Sequence, residues 1–206
     1  MSSVNDIPNG WVETNLGKLG RVITGKTPSK NNPNDWGNNF DFITPSEIDN
    51  SSKYIFNTPR KLSQQGFDRF SRMILPTNSV IVTCIGSDMG KVALSKKNAI
   101  TNQQMNSIKV LENSFSDYLY AYFKEFKDEL KSIAMGSSTM PMISKSEFEL
   151  IKILKPNPVL LENYYKKVTP INLRLSNSIS QSETLKELQS LLLAKMTQQE
   201  PKTAII

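Results

Sequence analysis

The chain has 206 residues, and its 25 Lys and Arg against 19 Asp and Glu give a formal charge of +6, which favours a polyanionic partner. It contains no histidine, which excludes Ser-His-Asp and Cys-His catalysis and the usual histidine-based metal sites, and its single cysteine excludes an intramolecular disulfide. The length suits one medium domain with an appendage.

From residue 11 to residue 111, short β-branched or aromatic runs alternate with turn residues, which predicts a strand-rich region. The predicted strands cover residues 20–24, 40–43, 53–56, 79–85 and 107–110. Residues 30–39 are rich in Asn, Pro and Gly and form a predicted turn-forming loop. Cys84 lies inside an apolar run, so we expect a buried thiol.

Basic residues in this region form two local clusters that suit contacts to phosphates. The first consists of Lys18, Arg21, Lys26 and Lys30, and the second of Arg60, Lys61, Arg69 and Arg72. The sequence shows neither a basic and apolar leader nor a run of about 18 apolar residues, the length needed to span a bilayer. We therefore expect a cytoplasmic protein whose charge favours a nucleic-acid partner, although ordinary solubility charge is an alternative.

Carboxylates in the same region keep a stand-alone metal-dependent nuclease open as an alternative. Two-metal sites need only acidic ligands, and the candidates are Asp41, Glu47, Asp49 and Asp88. Scattered acids near turns more often cap helices or brace loops, so we expect no metal site.

The next part of the chain predicts two helices that complete this domain. Leu119, Phe123, Phe126 and Leu130 recur at three- and four-residue spacing, which predicts an amphipathic helix over residues 116–134 that packs on the sheet. The tetrad from Ser144 to Glu147 has a capping-box pattern and predicts a short helix before a strand at 150–154. Two prolines then end a predicted domain of residues 1–155.

Residues 156–206 have a different composition and predict one long helix. Apolar residues follow a helical stripe over about 38 residues, which at 1.5 Å per residue corresponds to ~57 Å. A helix of this length is expected to pack on something outside its own domain, although folding back on that domain is an alternative. Pro170 predicts either a kink or a helix in two segments.

Six motifs occur in the order in which they appear in one family. They are Ile7-Pro-Asn-Gly-Trp11 with Leu16-Gly17, Thr24-Gly-Lys-Thr-Pro28, Phe42-Ile-Thr-Pro-Ser-Glu-Ile48, Thr83-Cys-Ile-Gly86 with Gly90-Lys-Val92, Thr101-Asn-Gln-Gln104, and Gly136-Ser-Ser-Thr139 with Ile143-Ser-Lys145 and Phe148. Over nearly its whole length the chain resembles one half of a Type I restriction-modification specificity subunit. That half consists of one target recognition domain and one spacer helix.

The resemblance implies an α+β fold, with a strand-rich mixed α/β target recognition domain and a long C-terminal helix that forms an antiparallel coiled-coil dimer. It implies a non-catalytic chain that binds double-stranded DNA, because in this family a partner methyltransferase subunit binds S-adenosylmethionine and modifies adenine. A restriction subunit joins through the methyltransferase. Full-length members carry two recognition domains, so a homodimer of this chain would read a bipartite, palindromic site.

Candidate DNA-binding residues lie in polar loops of these motifs. They are Lys26, Thr27, Ser29 and Lys30 in the first loop, Ser87 and Lys91 in a hairpin, Gln103 and Gln104 in a turn, and, with weaker support, Thr139 and Lys145. The two glutamines could pair bidentately with adenine, or they could brace the loops by hydrogen bonds.

Candidate dimer-interface residues lie on the apolar stripe of the long helix. They are Tyr164, Leu175, Ile179, Leu185, Leu188 and Leu192. A dimeric DNA-binding regulator without methyltransferase partners is a further alternative, because it would show the same combination of a basic domain and a dimerisation helix.

Overall fold

The computed structural model describes residues 7–49, 51–56, 58–134 and 141–197. The chain separates into two compact units, and the boundary lies between Tyr165 and Lys166. The candidate DNA-binding residue Thr139 lies outside the described residues.

The first unit contains the strands and the four short helices. The strands are β1 (Val12–Asn15), β2 (Gly20–Thr24), β3 (Trp36–Gly37), β4 (Phe40–Ile43), β5 (Tyr54–Ile55), β6 (Lys61–Leu62), β7 (Val80–Thr83), β8 (Val92–Ser95), β9 (Ala99–Thr101), β10 (Met105–Val110) and β11 (Lys152–Lys155). The helices are α1 (Gln64–Arg69), α2 (Ser114–Glu125), α3 (Lys127–Ala134) and α4 (Lys145–Leu150), and α5 (Pro158–Thr197) starts in this unit and continues into the second.

The strands form a five-stranded, a four-stranded and a two-stranded sheet. The five-stranded sheet has the order β2-β10-β7-β8-β5, in which the first three pairings are antiparallel and β5 pairs with β8 in parallel. The four-stranded sheet has the order β3-β6-β4-β9, and β1 pairs with β11. This mixed, strand-rich architecture confirms the predicted fold class of the recognition domain.

The main core lies between the five-stranded sheet and the helices. Val80, Val82 and Ile108 of the sheet are fully buried, and they belong to one apolar cluster with Leu119 and Phe123 of α2. The spacing of Leu119 and Phe123 predicts an amphipathic helix on a sheet. Burial of the apolar cluster is the main source of stability for the packing of α2 on the sheet.

The predicted helix over residues 116–134 is two helices, because the backbone at Phe126 leaves the helical region (φ −85°, ψ 14°) between α2 and α3. The short helix predicted after Ser144 is confirmed as α4, and its capping box is formed. The predicted strand at 150–154 starts two residues later, as β11, because Leu150 still belongs to α4.

The second unit consists of the described remainder of α5. This helix has 40 residues and continues through Pro170, so the predicted division into two segments does not occur. At 1.5 Å per residue it is about 60 Å long. Among the described helices, none combines the length and the apolar character that a membrane span requires.

Candidate nucleic-acid interface

Four strand ends meet at one end of the five-stranded sheet. Because β10 runs antiparallel to β2 and β7, and β8 runs antiparallel to β7, the carboxyl ends of β2 and β7 lie beside the amino ends of β10 and β8. The loop after β2 and the turns before β10 and β8 therefore lie at the same edge. These segments contain eight of the ten candidate DNA-binding residues.

The loop after β2 is bound directly to the turn before β10. The backbone N–H of Lys26 donates to the carbonyl of Thr101 at 2.9 Å, and the Thr27 hydroxyl donates to Oε1 of Gln103 at 2.7 Å. Gly25 permits this approach, since a Cβ there would lie 2.2 Å from the carbonyl oxygen of Asn102. The loop and the turn therefore form one surface.

The same row continues across β7 to the segment before α4. The backbone N–H of Cys84 donates to the carbonyl of Gln104 at 2.8 Å, and the Cys84 carbonyl accepts from the N–H of Ile143 at 2.9 Å. Next to it, the N–H of Gly86 donates to the carbonyl of Pro141 at 3.0 Å. Sequence positions that are more than 100 residues apart are thus joined in one continuous edge, which we call the loop edge (residues 25–32, 84–91, 101–104 and 141–145).

Both candidate glutamines make bracing hydrogen bonds in the loop edge. Oε1 of Gln103 accepts from Thr27, and Oε1 of Gln104 accepts from the side-chain amide of Asn102 at 2.8 Å. Gln103 is nevertheless exposed, and an amide whose oxygen is occupied keeps two N–H donors. Its predicted contact with adenine stays a prediction.

The remaining residues of the first loop present polar groups to solvent. Lys26, Ser29 and Lys30 are exposed. The Ser29 carbonyl accepts from the N–H of Asn32 at 3.1 Å, and its hydroxyl oxygen accepts from the N–H of Asn31 at 3.2 Å. This tight turn fixes the loop backbone and leaves the two lysine side chains free to extend outward.

The turn between β7 and β8 holds the next two candidates. Ser87 is exposed at its tip, after Gly86, whose φ of 75° is a conformation that glycine adopts at little cost. The ammonium group of Lys91 lies 2.8 Å from Oδ1 of Asp88, so the charge of Lys91 is partly compensated within the turn. Lys145, the first residue of α4, is exposed and pairs with Glu149 at 3.6 Å.

A cavity of about 440 Å³ lies beside the first loop. Its lining includes Lys26, Thr27, Ser29, Asn32, Asp35, Arg69 and Arg72. Arg69 ends α1 and Arg72 lies in the 3₁₀ turn after it, so the two basic clusters of the sequence contribute to the same cavity. Sequence reasoning recognised these two arginines only as members of a cluster and did not place them at the site.

The four carboxylates considered for a metal site have separate structural partners. Asp41 lies 3.7 Å from Lys61, and Asp88 pairs with Lys91. Glu47 accepts from the Thr44 N–H at 2.5 Å and closes a capping box.

Hydrogen bonds from the Ser51 side chain and backbone hold the pKa of the Asp49 carboxyl below its ordinary value. Within the described parts of the chain, no three acidic or thiol side chains are grouped so that they could hold a metal ion.

Cys84 lies in the middle of the loop edge but below its surface. The side chain is 1% exposed, and burial raises the pKa of its thiol to about 12. A thiol with this pKa carries almost no thiolate at neutral pH, so Cys84 acts as a small apolar core residue, as its sequence context predicts.

The candidate dimer-interface residues fall into both units. In the second unit, Leu185, Leu188 and Leu192 are 64%, 51% and 53% exposed, and Leu175 is 39% exposed. Tyr164 belongs to the first unit, where it lines an apolar cavity of about 330 Å³ with Trp11 and two aromatic residues of α2. Burial raises the pKa of the Tyr164 hydroxyl. Ile179 is half-buried along the helix.

Residues 8–187 match the family model described as the Type I restriction modification DNA specificity domain. The chain is 34% identical over 193 residues to the Type I restriction enzyme HindI specificity subunit of Haemophilus influenzae, a match that covers 92% of this chain and 41% of the relative. It is 27% identical over 190 residues to the MjaIX specificity subunit of Methanocaldococcus jannaschii, which covers 91% of this chain and 44% of the relative.

Solved structures show the same fold. The HsdS subunit from Thermoanaerobacter tengcongensis has a TM-score of 0.56 at 18% identity, over 95% of this chain and 46% of that structure. The Type I restriction-modification S subunit from M. genitalium has a TM-score of 0.59 at 17% identity, over 92% of this chain and 46% of that structure. The chain thus spans less than half the length of the relatives and structures that it matches.

Proposed function

Since the chain belongs to the family of Type I restriction modification DNA specificity domains, we propose that it is a DNA sequence-specificity subunit that carries one target recognition domain and a spacer helix. The loop edge reads DNA in this proposal, and the chain itself performs no covalent chemistry. A partner adenine-N6 methyltransferase subunit supplies the S-adenosylmethionine site, and a restriction subunit joins the complex through it.

The observation that carries the proposal is the convergence of polar and cationic loops at one end of the five-stranded sheet. Cations position a protein on the phosphate backbone, and polar side chains on ordered loops discriminate base edges. The loop edge offers both, since the exposed Lys26 and Lys30 lie in the same loop as Thr27, which is hydrogen-bonded to Gln103.

We propose further that two copies associate through antiparallel α5 helices. The exposed apolar stripe on the second unit supports this, because covering exposed leucine side chains with a second helix is favoured by the hydrophobic effect. The matched region covers 41% and 44% of two relatives, so two copies supply roughly the length of one relative. Such a dimer has two-fold symmetry and would read a palindromic site in two halves separated by a fixed gap.

Selection from a library of randomised DNA duplexes tests this function. The full chain is used alone and together with its methyltransferase subunit, and bound duplexes are sequenced. We expect one split palindromic consensus and binding that weakens steeply with added salt, because phosphate contacts release counterions.

Two lysine variants provide the matched comparison. Lys26→Ala should weaken binding to all duplexes and lower the salt slope by about 1. Lys97→Ala removes another exposed lysine, between β8 and β9 at the opposite end of the sheet, and should leave binding unchanged. A library that yields no consensus would contradict the proposal. So would Mg²⁺-dependent cleavage by the chain alone that disappears in Asp88→Ala, since it would make the chain a nuclease.

A further inference from the structure

A buried carboxylate and a half-exposed arginine form an ion pair in the cavity beside the first loop. The Asp35 side chain is completely buried, and its Oδ1 lies 3.0 Å from Nε of Arg69, whose side chain is 46% exposed. Both residues line the cavity that Lys26 and Arg72 also line. Nε of the guanidinium group therefore lies beside a fixed buried charge, while nearly half of the Arg69 side chain is exposed.

The backbone on both sides of this pair is held in place. The Asp35 N–H donates to the carbonyl of Asn32 at 3.1 Å, and its own carbonyl accepts from the N–H of Ser63 at 3.0 Å. Helix α1 reaches Asp35 through Gly66, where a Cβ would lie 2.1 Å from the Asp35 carbonyl oxygen. Arg69 lies three residues after Gly66, hence on the same face of α1, which brings its side chain to the carboxylate.

The pair is a costly arrangement for a purely structural role. A buried charge is stabilising only when its hydrogen-bonding capacity is satisfied. Within the described residues, neither carboxylate oxygen of Asp35 has a hydrogen-bond donor in good geometry, although Arg69 lies in ion-pair distance. The carboxylate therefore contributes its charge and position, and the guanidinium keeps N–H groups for another acceptor.

The charge balance of the cavity separates two kinds of DNA contact. Lys26 and Arg72 have no ion-pair partner among the residues that the structure describes, so their charge is available to phosphate. The charge of Arg69 is neutralised by Asp35, which reduces its long-range attraction to phosphate and leaves the direction of its donors. A directed fork of two N–H groups matches the N7 and O6 acceptors of guanine.

We propose that Arg69 reads a guanine in the recognised half-site through its N7 and O6 atoms, and that Asp35 is the positioning residue that orients it. The cavity is then the subsite for that base pair, with Lys26 and Arg72 on the flanking phosphates. This proposal rests on the proposed function and names one residue that determines its specificity.

The test compares Arg69→Lys with the wild-type chain on the consensus that library selection yields. Lysine keeps the positive charge beside Asp35 but lacks the planar fork. We expect preference for guanine at one position of each half-site to fall by roughly 5- to 150-fold, while the other positions and the salt slope stay unchanged. Arg174→Lys, at an exposed position of the second unit, is the matched control and should leave every base preference intact.

Asp35→Asn removes the charge that orients Arg69 without touching DNA, and it should relax the same position. A wild-type measurement avoids any dependence on how the variants fold. Methylation of guanine N7 by dimethyl sulfate should block binding of the wild-type chain at that guanine in each half-site.

Three outcomes would overturn the inference. One is uniform weakening by Arg69→Lys with intact base preferences, which would identify a phosphate contact. A second is an unchanged guanine preference in both Arg69→Lys and Asp35→Asn. A third is a consensus in which N7 methylation of no guanine interferes with binding. In each case the wild-type consensus still stands, so the proposed function survives. Failure of the wild-type chain to select any consensus would remove the proposed function and this inference together.

Discussion

At the scale of single residues, the candidate site depends on two positions where only glycine fits. Gly25 allows the first loop to lie against residues 101–102, and Gly66 allows α1 to lie against Asp35. In both cases the atoms that a Cβ would meet include a backbone carbonyl oxygen, which cannot rotate away. Close backbone approach therefore decides these two positions, and it places the polar side chains beside them.

Gly66→Ala gives a clear test because two effects have opposite signs. Alanine is a better helix former than glycine by about 1 kcal/mol, so the change would stabilise a helix that had free space. Here the Cβ would lie 2.1 Å from the Asp35 carbonyl oxygen, and overpacking of this kind costs roughly 1–3 kcal/mol. We expect a lower free energy of unfolding in urea denaturation.

Gln65→Ala, at an exposed neighbouring position of α1, is the control for that experiment and should leave the free energy of unfolding nearly unchanged. An increase in stability for Gly66→Ala would mean that α1 does not approach Asp35 as closely as described.

The sequence located the candidate loops but not the contacts that join them. Polar composition and motif order placed Lys26 and Gln103 in surface turns, and both are exposed. The pair of Asp35 and Arg69 joins residues 34 positions apart on a 3₁₀ turn and a six-residue helix, and no periodic pattern connects such elements. Arg69 was therefore visible only as one of several basic residues.

At the scale of elements, local signals predicted best where a short motif satisfies its own backbone groups. In α4 the Ser144 hydroxyl accepts from the N–H of Glu147 at 3.2 Å, and the Glu147 carboxylate accepts from the N–H of Ser144 at 2.8 Å. Hydrogen bonds from the Ser144 side chain and backbone lower the pKa of Glu147. The capping box can be predicted from four consecutive residues, because both hydrogen-bonding partners lie within three residues of each other.

Ser144→Ala should destabilise the first unit by about 1 kcal/mol through loss of the cap at α4. The Glu147 pKa is lowered in the folded state, so its contribution to stability is present above its ordinary value of 4.5 and is lost as the pH falls through the folded value. We therefore expect the difference in unfolding free energy between variant and wild type to narrow below about pH 4.5.

Urea denaturation at pH 7 and at pH 3.5 measures the two values. Ser146→Ala, at an exposed position inside α4, is the matched control and should change neither. If the difference in unfolding free energy between Ser144→Ala and wild type did not depend on pH, the cap would stabilise α4 without a contribution from the Glu147 carboxylate.

Other elements escaped prediction for identifiable reasons. The apolar spacing of residues 119, 123, 126 and 130 continues across the break at Phe126, because Phe126 still packs on Tyr122 with ring centroids 4.8 Å apart. The spacing reports which face is buried and not whether the backbone is continuous. β3 and β6 have two residues each, too few to show an alternating pattern, whereas β5 lies inside the predicted strand at 53–56.

At the scale of the whole molecule, sequence composition predicted one long helix after the strand-rich domain, and the structure has it. What the helix packs against is a property of the assembly, so neither composition nor a single chain contains it. The second unit described by itself leaves Leu185, Leu188 and Leu192 more than half exposed. The proposed dimer removes that exposure by covering the stripe with a second copy.

Leu185→Asp combined with Leu192→Asp tests the dimer directly. The two positions lie seven residues apart, on one side of the helix. In an antiparallel pair, the two introduced carboxylates of each copy would therefore face the helix of the other copy. Burying unpaired charges is strongly unfavourable, and we expect the mass in light scattering to fall from twice 23.2 kDa to 23.2 kDa.

Ser190→Asp with Ala194→Asp places the same two charges on the opposite side of α5, where both residues are exposed, and should leave the dimer intact. The comparison separates loss of the interface from a general effect of added negative charge. Because the first unit has its own core, its urea transition should be retained in both double variants. A wild-type chain that is already monomeric across micromolar concentrations would contradict the paired-helix proposal, and the spacing between half-sites would then have to be set by another chain.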